Sequence, residues 1–353
     1  MTKNHSSPPR RYNSGFTLIE LMVAITIGLF LSAVVGGVFV SSKDAFNYQD
    51  AMSRLQENAR FAMERISRDV RMAGYRGCGD LSKVANTVNN GSTSWWLNFT
   101  TPVMGYDNLS ASQTLFPSAI AGSDAIVLLG VDSNDELSVI SHNPVSAQIK
   151  TTQHGIQPGA ILVITDCSQT SVFQMSGPTN SNANAELVVH NTGNSTSPGN
   201  CNKQLGASCP TVKEYTFKPG ASLMQMYANS YYVRASATTN NGNALWSCSI
   251  IDQTNGTAQC SELINGVENM QIEYGVDTDS DTSANAYLAA GSVTDWTKVV
   301  SVRISLLMST PPSAGNLSSK FQTYSYNGNE ETASDRRVRH SYSSVINLRN
   351  RTK

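Results

Sequence analysis

The chain has 353 residues, a formal net charge of -1 and only 14% charged residues. That length suffices for one large domain or two modest ones with a sizeable core, and the near-neutral balance argues against a body built to bind nucleic acid. Ser, Thr, Asn and Gly are abundant instead, as in a β-rich extracytoplasmic protein.

The first element is a span. Leu21 to Val40 is a run without a charged residue, mostly apolar. At 1.5 Å per residue such a run crosses about 30 Å, the thickness of a hydrocarbon core. Lys3, Arg10 and Arg11 precede it, while Lys43, Asp44 and Asp50 follow; this asymmetry places the N-terminus in the cytoplasm. An ordinary secretory signal fits poorly, because its apolar region is about 7–15 residues and carries no carboxylate. Here Glu20 stands at the head of the run. A charge deep in a bilayer costs roughly 2.5–3.5 kcal/mol, so Glu20 needs a partner.

Helical patterning continues past the span. Ala45, Tyr48, Met52, Leu55, Ala59, Ala62, Ile66, Val70 and Ala73 recur every three or four residues, an apolar stripe at helical period. Arg60, Glu64 and Arg68 alternate in sign on another face, where such pairs support a helix. No proline lies between Arg10 and Pro102, and Gly74 is a stop signal. One helix of about 87 Å is therefore predicted from Phe16 to Ala73, with its first half in lipid and its second packed on a globular body.

Cys78 to Leu115 is polar and turn-rich, and Trp95 and Trp96 within it read as partly buried packing residues rather than a binding surface. Strands are predicted at Ser123–Val131 and Ala160–Cys167, with weaker ones at Glu186–His190, Val212–Lys218 and Ser230–Arg234. Asn191 to Pro210 has loop composition. Farther on, "SELINGVENMQIEYGV" suggests a helical turn and then a strand over Val267–Val276. Thr297–Thr310 reads as a central strand and "HSYSSVINLRN" as the last one. A long helix on an antiparallel sheet is an α+β arrangement.

Candidate sites are few. The six cysteines, Cys78, Cys167, Cys201, Cys209, Cys248 and Cys260, lack metal-ligand spacing and suggest three disulfides in an oxidising compartment. Six cysteines allow fifteen pairings; nearness in sequence favours Cys201 with Cys209 and Cys248 with Cys260, which leaves Cys78 with Cys167. Asp277, Asp279 and Asp281 begin like an EF-hand calcium loop, but Thr282 stands where glycine is needed and Leu288 where the bidentate Glu belongs. A solvated acidic turn is favoured over a calcium site, and no cofactor is expected. Arg336, Arg337, Arg339, Arg349, Arg351 and Lys353 form a basic tail, read as a charge-protected sheet edge rather than a direct DNA contact. The histidines are scattered and no nucleophile, phosphate-loop or zinc motif occurs, so no enzyme is expected.

"GFTLIELMVAITIGLFL" resembles the class 3 signal of type IV prepilins: a basic leader, a Gly-Phe junction, a Glu five residues after it, and a long apolar helix. The resemblance implies that a prepilin peptidase cuts between Gly15 and Phe16, that the new Phe16 amine is N-methylated, and that Glu20 pairs with the N-terminal amine of a neighbouring subunit. Many major pilins have a proline midway along the span; Gly36 and Gly37 stand there instead. "ARFAMERISRDVRMAGYRGCG", "LINGVENMQIEYGVDTDSD", "DWTKVVSVRISLLM" and "SSVINLRNR" together resemble the PilW family of minor pilins. That implies a leader over 1–15, a membrane half-helix over 16–40, an amphipathic half over 41–73 and a periplasmic or extracellular body over 74–353. It also implies partners among minor pilins, the major pilin, the peptidase and an inner-membrane assembly platform. The implied life history starts in the inner membrane and ends on the pilus, at or near its tip, supporting twitching, adhesion or DNA uptake. A J-type pseudopilin of type II secretion is the alternative, disfavoured by the length of this body and its cysteines. A tip adhesin carried by residues 80–213 is another. Gly15→Ala should block leader removal; a mature-size band on an immunoblot of that variant would refute the cleavage assignment.

Overall fold

A computed structural model describes residues 15, 17–78, 83–112, 115–178, 186–193, 196–240, 242–253, 256–312, 317 and 320–351. Its first element is one α-helix, α1 (Leu18–Met72). Contacts divide the chain into two units, Met1–Ala51 and Met52–Lys353, described here separately.

In the first unit α1 runs without a break through Gly28, Gly36 and Gly37, although glycine weakens a helix by about 1 kcal/mol relative to alanine. The helix is long and apolar enough to cross a membrane, and none of its most apolar window is buried within the chain. Ala45 and Tyr48, the first members of the predicted stripe, are exposed. Nothing in the described chain covers them, so helical period alone did not make them core.

In the second unit the stripe does bury, from Leu55 through Ala59, Ala62, Ile66, Val70 and Ala73. The small side chains of Ala59 and Ala62 let the helix lie close on the residues beneath. The helix ends where Gly74 takes φ +69, a left-handed conformation that costs glycine little. Its N–H donates to the Leu129 carbonyl at 2.8 Å, and a Cβ there would stand 2.7 Å from Pro102 Cγ.

The strands are β1 (Val84–Asn86), β2 (Val103–Tyr106), β3 (Ala125–Val131), β4 (Leu137–Asn143), β5 (Gln148–Thr151), β6 (Ile161–Thr165), β7 (Thr170–Gln174), β8 (Leu187–Val189) and β9 (Ser222–Ala235). They continue with β10 (Asn243–Asp252), β11 (Thr257–Asn265), β12 (Val267–Val276), β13 (Ala286–Leu288), β14 (Val299–Ser309), β15 (Thr323–Tyr326), β16 (Asn329–Thr332) and β17 (Arg339–Asn347). Long β9 is the spine of the larger sheet: its start pairs with β4 and β6, its middle with β3 and its end with β10. Only β1 with β7 is parallel among the paired strands described. A second sheet has the order β13-β12-β14-β17, and β15 with β16 forms a separate hairpin.

β3 is buried along its whole length, and its alternation explains why its sequence is a continuous apolar run. Ile126 and Leu128 join the helix stripe in a core with Met270, Ile272, Val302, Ile304, Leu306 and Ile346 of the second sheet. Val127 and Leu129 face the other way, into a cluster with Trp96, Phe116, Tyr232 and Trp246. Trp95 and Trp96 thus serve packing. A third cluster lies around Leu162, Ile164, Phe173 and Phe217.

Two predicted elements differ. The helical turn expected in "SELIN" is part of strand β11, held by a ladder to β10 and by Cys248–Cys260, which stand opposite each other in that ladder. Val212–Lys218 is not a strand: Glu214 makes a single bridge to Leu205, while Tyr215 donates to Asp166 and Phe217 N–H to His142, so side chains fix this segment. Cys201 pairs with Cys209 and Cys78 with Cys167, which joins the chain just past α1 to the end of β6.

One polar cluster sits in the helix–sheet interface. Asp69 is 6% exposed and accepts from the Tyr231 hydroxyl at 2.6 Å and from Asn229 Nδ2 at 3.0 Å. Burial, then the Asp69 charge, pushes the Tyr231 hydroxyl well above its ordinary pKa. Asp69→Ala would leave both β9 donors buried and unpaired, a loss of about 3 kcal/mol; a denaturant midpoint unchanged from the parent chain in detergent would exclude this anchor.

Candidate functional site at the head of the helix and on the second sheet

Thr17 and Glu20 form a reciprocal cap at the start of α1. The Thr17 N–H and hydroxyl each donate to Glu20 Oε2 at 2.9 Å, and the Glu20 N–H donates to Thr17 Oγ1 at 3.2 Å. This is a capping box, in which side chains satisfy N–H groups that a helix start leaves unpaired. Glu20 therefore already has local partners in a single chain. The T-x-x-E spacing that signals this cap is present in the sequence. Gly15 is exposed, whereas Phe16 and the leader before Gly15 lie outside the described residues. Above Glu20 the exposed side chains include Leu21, Ile25, Leu29, Phe30 and Phe39, a surface suited to lipid or to other apolar helices.

The second sheet carries the chain's C-terminal motifs. β14 is central, paired with β12 from Val267 to Val276 and with β17 over nine residues, Ser301 to Ser309. The basic residues beside it are not a free cationic strip. Arg337 and Arg339 converge on Glu268 at 2.5 and 2.7 Å and on Asp335 at 2.8 and 2.6 Å. Arg339 is 6% exposed, and its hydrogen bond holds the Asp335 carboxyl far below the usual range despite partial burial. Arg351 donates to the Trp296 and Thr297 carbonyls, and burial lowers its pKa to about 10. Of the predicted edge-protecting charges, Arg336 and Arg349 are exposed, while Lys353 lies outside the described residues.

Asp277, Asp279 and Asp281 bring carboxylate oxygens within 4.8 Å of one another, an oxygen set of the kind hard cations accept. Asp277 is already engaged: Ser280 N–H donates to it at 2.6 Å and Thr282 N–H at 2.8 Å. Burial pushes its pKa up, and these N–H groups outweigh that and hold it low. Thr282 takes φ +72, the left-handed conformation reserved for glycine in an EF-hand, but Leu288 lies in β13 opposite Tyr274 and supplies no oxygen ligand.

The family of type IV pilus-assembly protein W matches residues 230–350, the region that contains this sheet, and the prokaryotic N-terminal methylation motif matches residues 10–36, the region of the cap and span. PilW is thus the family that the last third of the chain is similar to. No curated protein and no solved structure matches it. Together the two matches support a type IV pilus minor pilin held by its apolar helix. Residues 37–229 lie outside both matched regions.

That intervening part of the chain contains a pair the sequence did not reveal. His142 and His190 are 48 residues apart yet their Nε2 atoms meet at 3.2 Å in the third cluster, with Phe173 and Phe217 against the rings. The spacing would suit a shared metal, but the hydrogen bonds decide otherwise. Phe217 N–H donates to His142 Nδ1 at 3.1 Å, so the His142 proton resides on Nε2 and points at His190 Nε2. Burial lowers the His142 pKa to about 4, and burial with the neighbouring His142 lowers His190 to about 3.

The pH dependence follows with its sign. The unfolded histidines take up protons near pH 6.5 and the folded ones do not, so the stability of neutral burial is full above pH 6.5 and declines toward pH 4. His154, lowered by burial too, adds to this sense, and Asp124 acts in the opposite one with a single proton, because burial raises it to about 6 despite N–H groups from Asn108 and Ile272. The melting temperature should fall between pH 6.5 and 5, above the ordinary carboxylate range. In a His142→Leu, His190→Leu double variant that fall should vanish or reverse; the same fall in both chains would refute the role of the pair.

Proposed function

We propose that this minor pilin primes type IV pilus assembly and takes a place at or near the pilus tip, with its N-terminus on the cytoplasmic side before assembly. The observation that carries this reading is a capped carboxylate at the head of an uncovered apolar helix, joined to a body with the PilW sheet. Its action is association: helices bundle in lipid, globular bodies meet side by side, and no bond of a substrate is made or broken. Gly15 and Phe16 form the peptidase junction, the Phe16 amine is methylated, and Glu20 sets register by pairing with the amine of a neighbour. Other minor pilins, the major pilin and the membrane assembly platform are its partners, and twitching, adhesion or DNA uptake follow through the filament.

The capping box sharpens the role of Glu20. Glu20→Gln keeps a residue that can complete the cap but removes the charge. Register set by charge predicts cleavage as usual and strongly reduced recovery in sheared pili, as with Glu20→Ala. Recovery of Glu20→Gln at the parent level would reduce Glu20 to a capping residue. For priming, deletion of this chain in cells unable to retract pili should remove most surface pili. Normal pilus numbers with lost attachment would instead make it an adhesin.

A further inference from the structure

β17 forms the long outer edge of the second sheet, and its register identifies which backbone groups face outward. Leu348 N–H donates to the Val300 carbonyl at 2.9 Å, so the even-numbered positions turn toward β14. Arg339 turns the other way: its carbonyl accepts from Gln322 Nε2 and its N–H donates to Gln322 Oε1, both at 2.7 Å. Antiparallel ladders alternate residue by residue, so Ser341, Ser343, Val345 and Asn347 present N–H and C=O groups on the same side as Arg339. Gln322 closes the edge at Arg339. Among the described residues none pairs with the outward backbone of Ser343, Val345 or Asn347.

Natural sheets blunt such edges with charge, proline or bulges. β17 has no charged residue and no proline from Ser341 to Asn347, and its register with β14 is unshifted throughout. Arg337, Arg339 and Arg351 turn inward to Glu268, Asp335 and the Trp296 carbonyl, and the exposed Arg336 and Arg349 lie outside Ser341–Asn347. Val345 is 48% exposed, and Ser343 and Asn347 are exposed beside it. A recess of about 420 Å³ adjoins this strip, lined by Glu273, Arg303, Ser305, Ser341, Ser343 and the hairpin residue Tyr326.

We infer that β17 is a docking edge, to which a different pilus subunit adds an extended strand alongside Ser343–Asn347. The occupant is an uncharged segment of about five residues, since its backbone supplies the pairing and alternate side chains the selectivity. Its recess-side residues carry hydroxyl or amide groups, matched to Ser305, Ser343 and the half-exposed Arg303–Glu273 ion pair at 2.9 Å. Its other residues are β-branched. The inference rests on the reading of the chain as a pilus subunit.

The test places a benzophenone amino acid at Val345 in the full chain, irradiates intact cells and sequences the cross-linked peptides. The expected product joins position 345 to an extended segment of another chain that carries its own prepilin signal. Ser343→Pro removes an outward N–H and no rung of the β14 ladder, and should lower the yield at least tenfold, whereas Ser343→Ala should keep it. If the proline variant melts well below the parent, a Ser343→Lys, Val345-flanking Asn347→Lys pair blunts the same edge by charge and should give the same loss. No product, a product of two copies of this chain, or full yield in the blunted variant would overturn the docking edge. Leader removal is read on the same blots: normal processing without a cross-link defeats the edge alone, and absent processing defeats the pilin reading beneath it.

Discussion

The apolar surface of α1 from Leu18 to Val40 is covered by nothing else in the described chain, and that single fact constrains the whole molecule. A surface of this kind is unfavourable in water at about 25 cal/mol per Å², so it must lie in lipid or against other helices. Its polar head must be satisfied locally before it can enter either. Thr17 and Glu20 do this together: the side chain that costs free energy as a charge also accepts two donors of the first turn. The same residue therefore suits a membrane-held single chain and a bundle in which an ammonium replaces water as its neighbour. Such a double use explains why a carboxylate can persist where lipid would otherwise disfavour it.

The second unit is organised by strands that are buried on both faces. β3 and β6 each feed two clusters, one with odd and one with even positions. The helix stripe fills one face of this arrangement and closes the core shared with β12, β14 and β17. Asp69 adds direction to that packing, because only one rotation and depth of the helix brings its carboxylate to Tyr231 and Asn229. Apolar burial supplies the stability here and one buried polar cluster supplies the register.

Legibility from sequence followed the range of the interactions. The helix, the span and the strands at Val267–Val276 and Val299–Ser309 were readable because period and local apolar runs specify them. The N-terminal methylation motif was readable because its pattern is contiguous in sequence. The small strands β4, β5 and β7 were missed, since their order comes from pairing with β9, with β6 or with each other. β11 was misread because Cys248, β10 and its ladder override a local helical preference. The His142–His190 contact was invisible for the same reason, and the basic tail misled because Glu268, far away in sequence, neutralises Arg337 and Arg339.

Cys78 has a mechanical meaning. It lies six residues beyond the end of α1 and is bonded to Cys167 at the end of β6. A pull on the helix first loads the van der Waals contacts of Leu55, Ile66 and Val70, which can slip. Past Cys78 the load meets a covalent bond into the middle of the larger sheet, by way of β6 and its ladder to β9. Traction could strip the helix from the body, but the load would then pass through the disulfide to Cys167 and bypass the loop between the two cysteines, so β1 to β6 inside that loop could not be pulled out to full length.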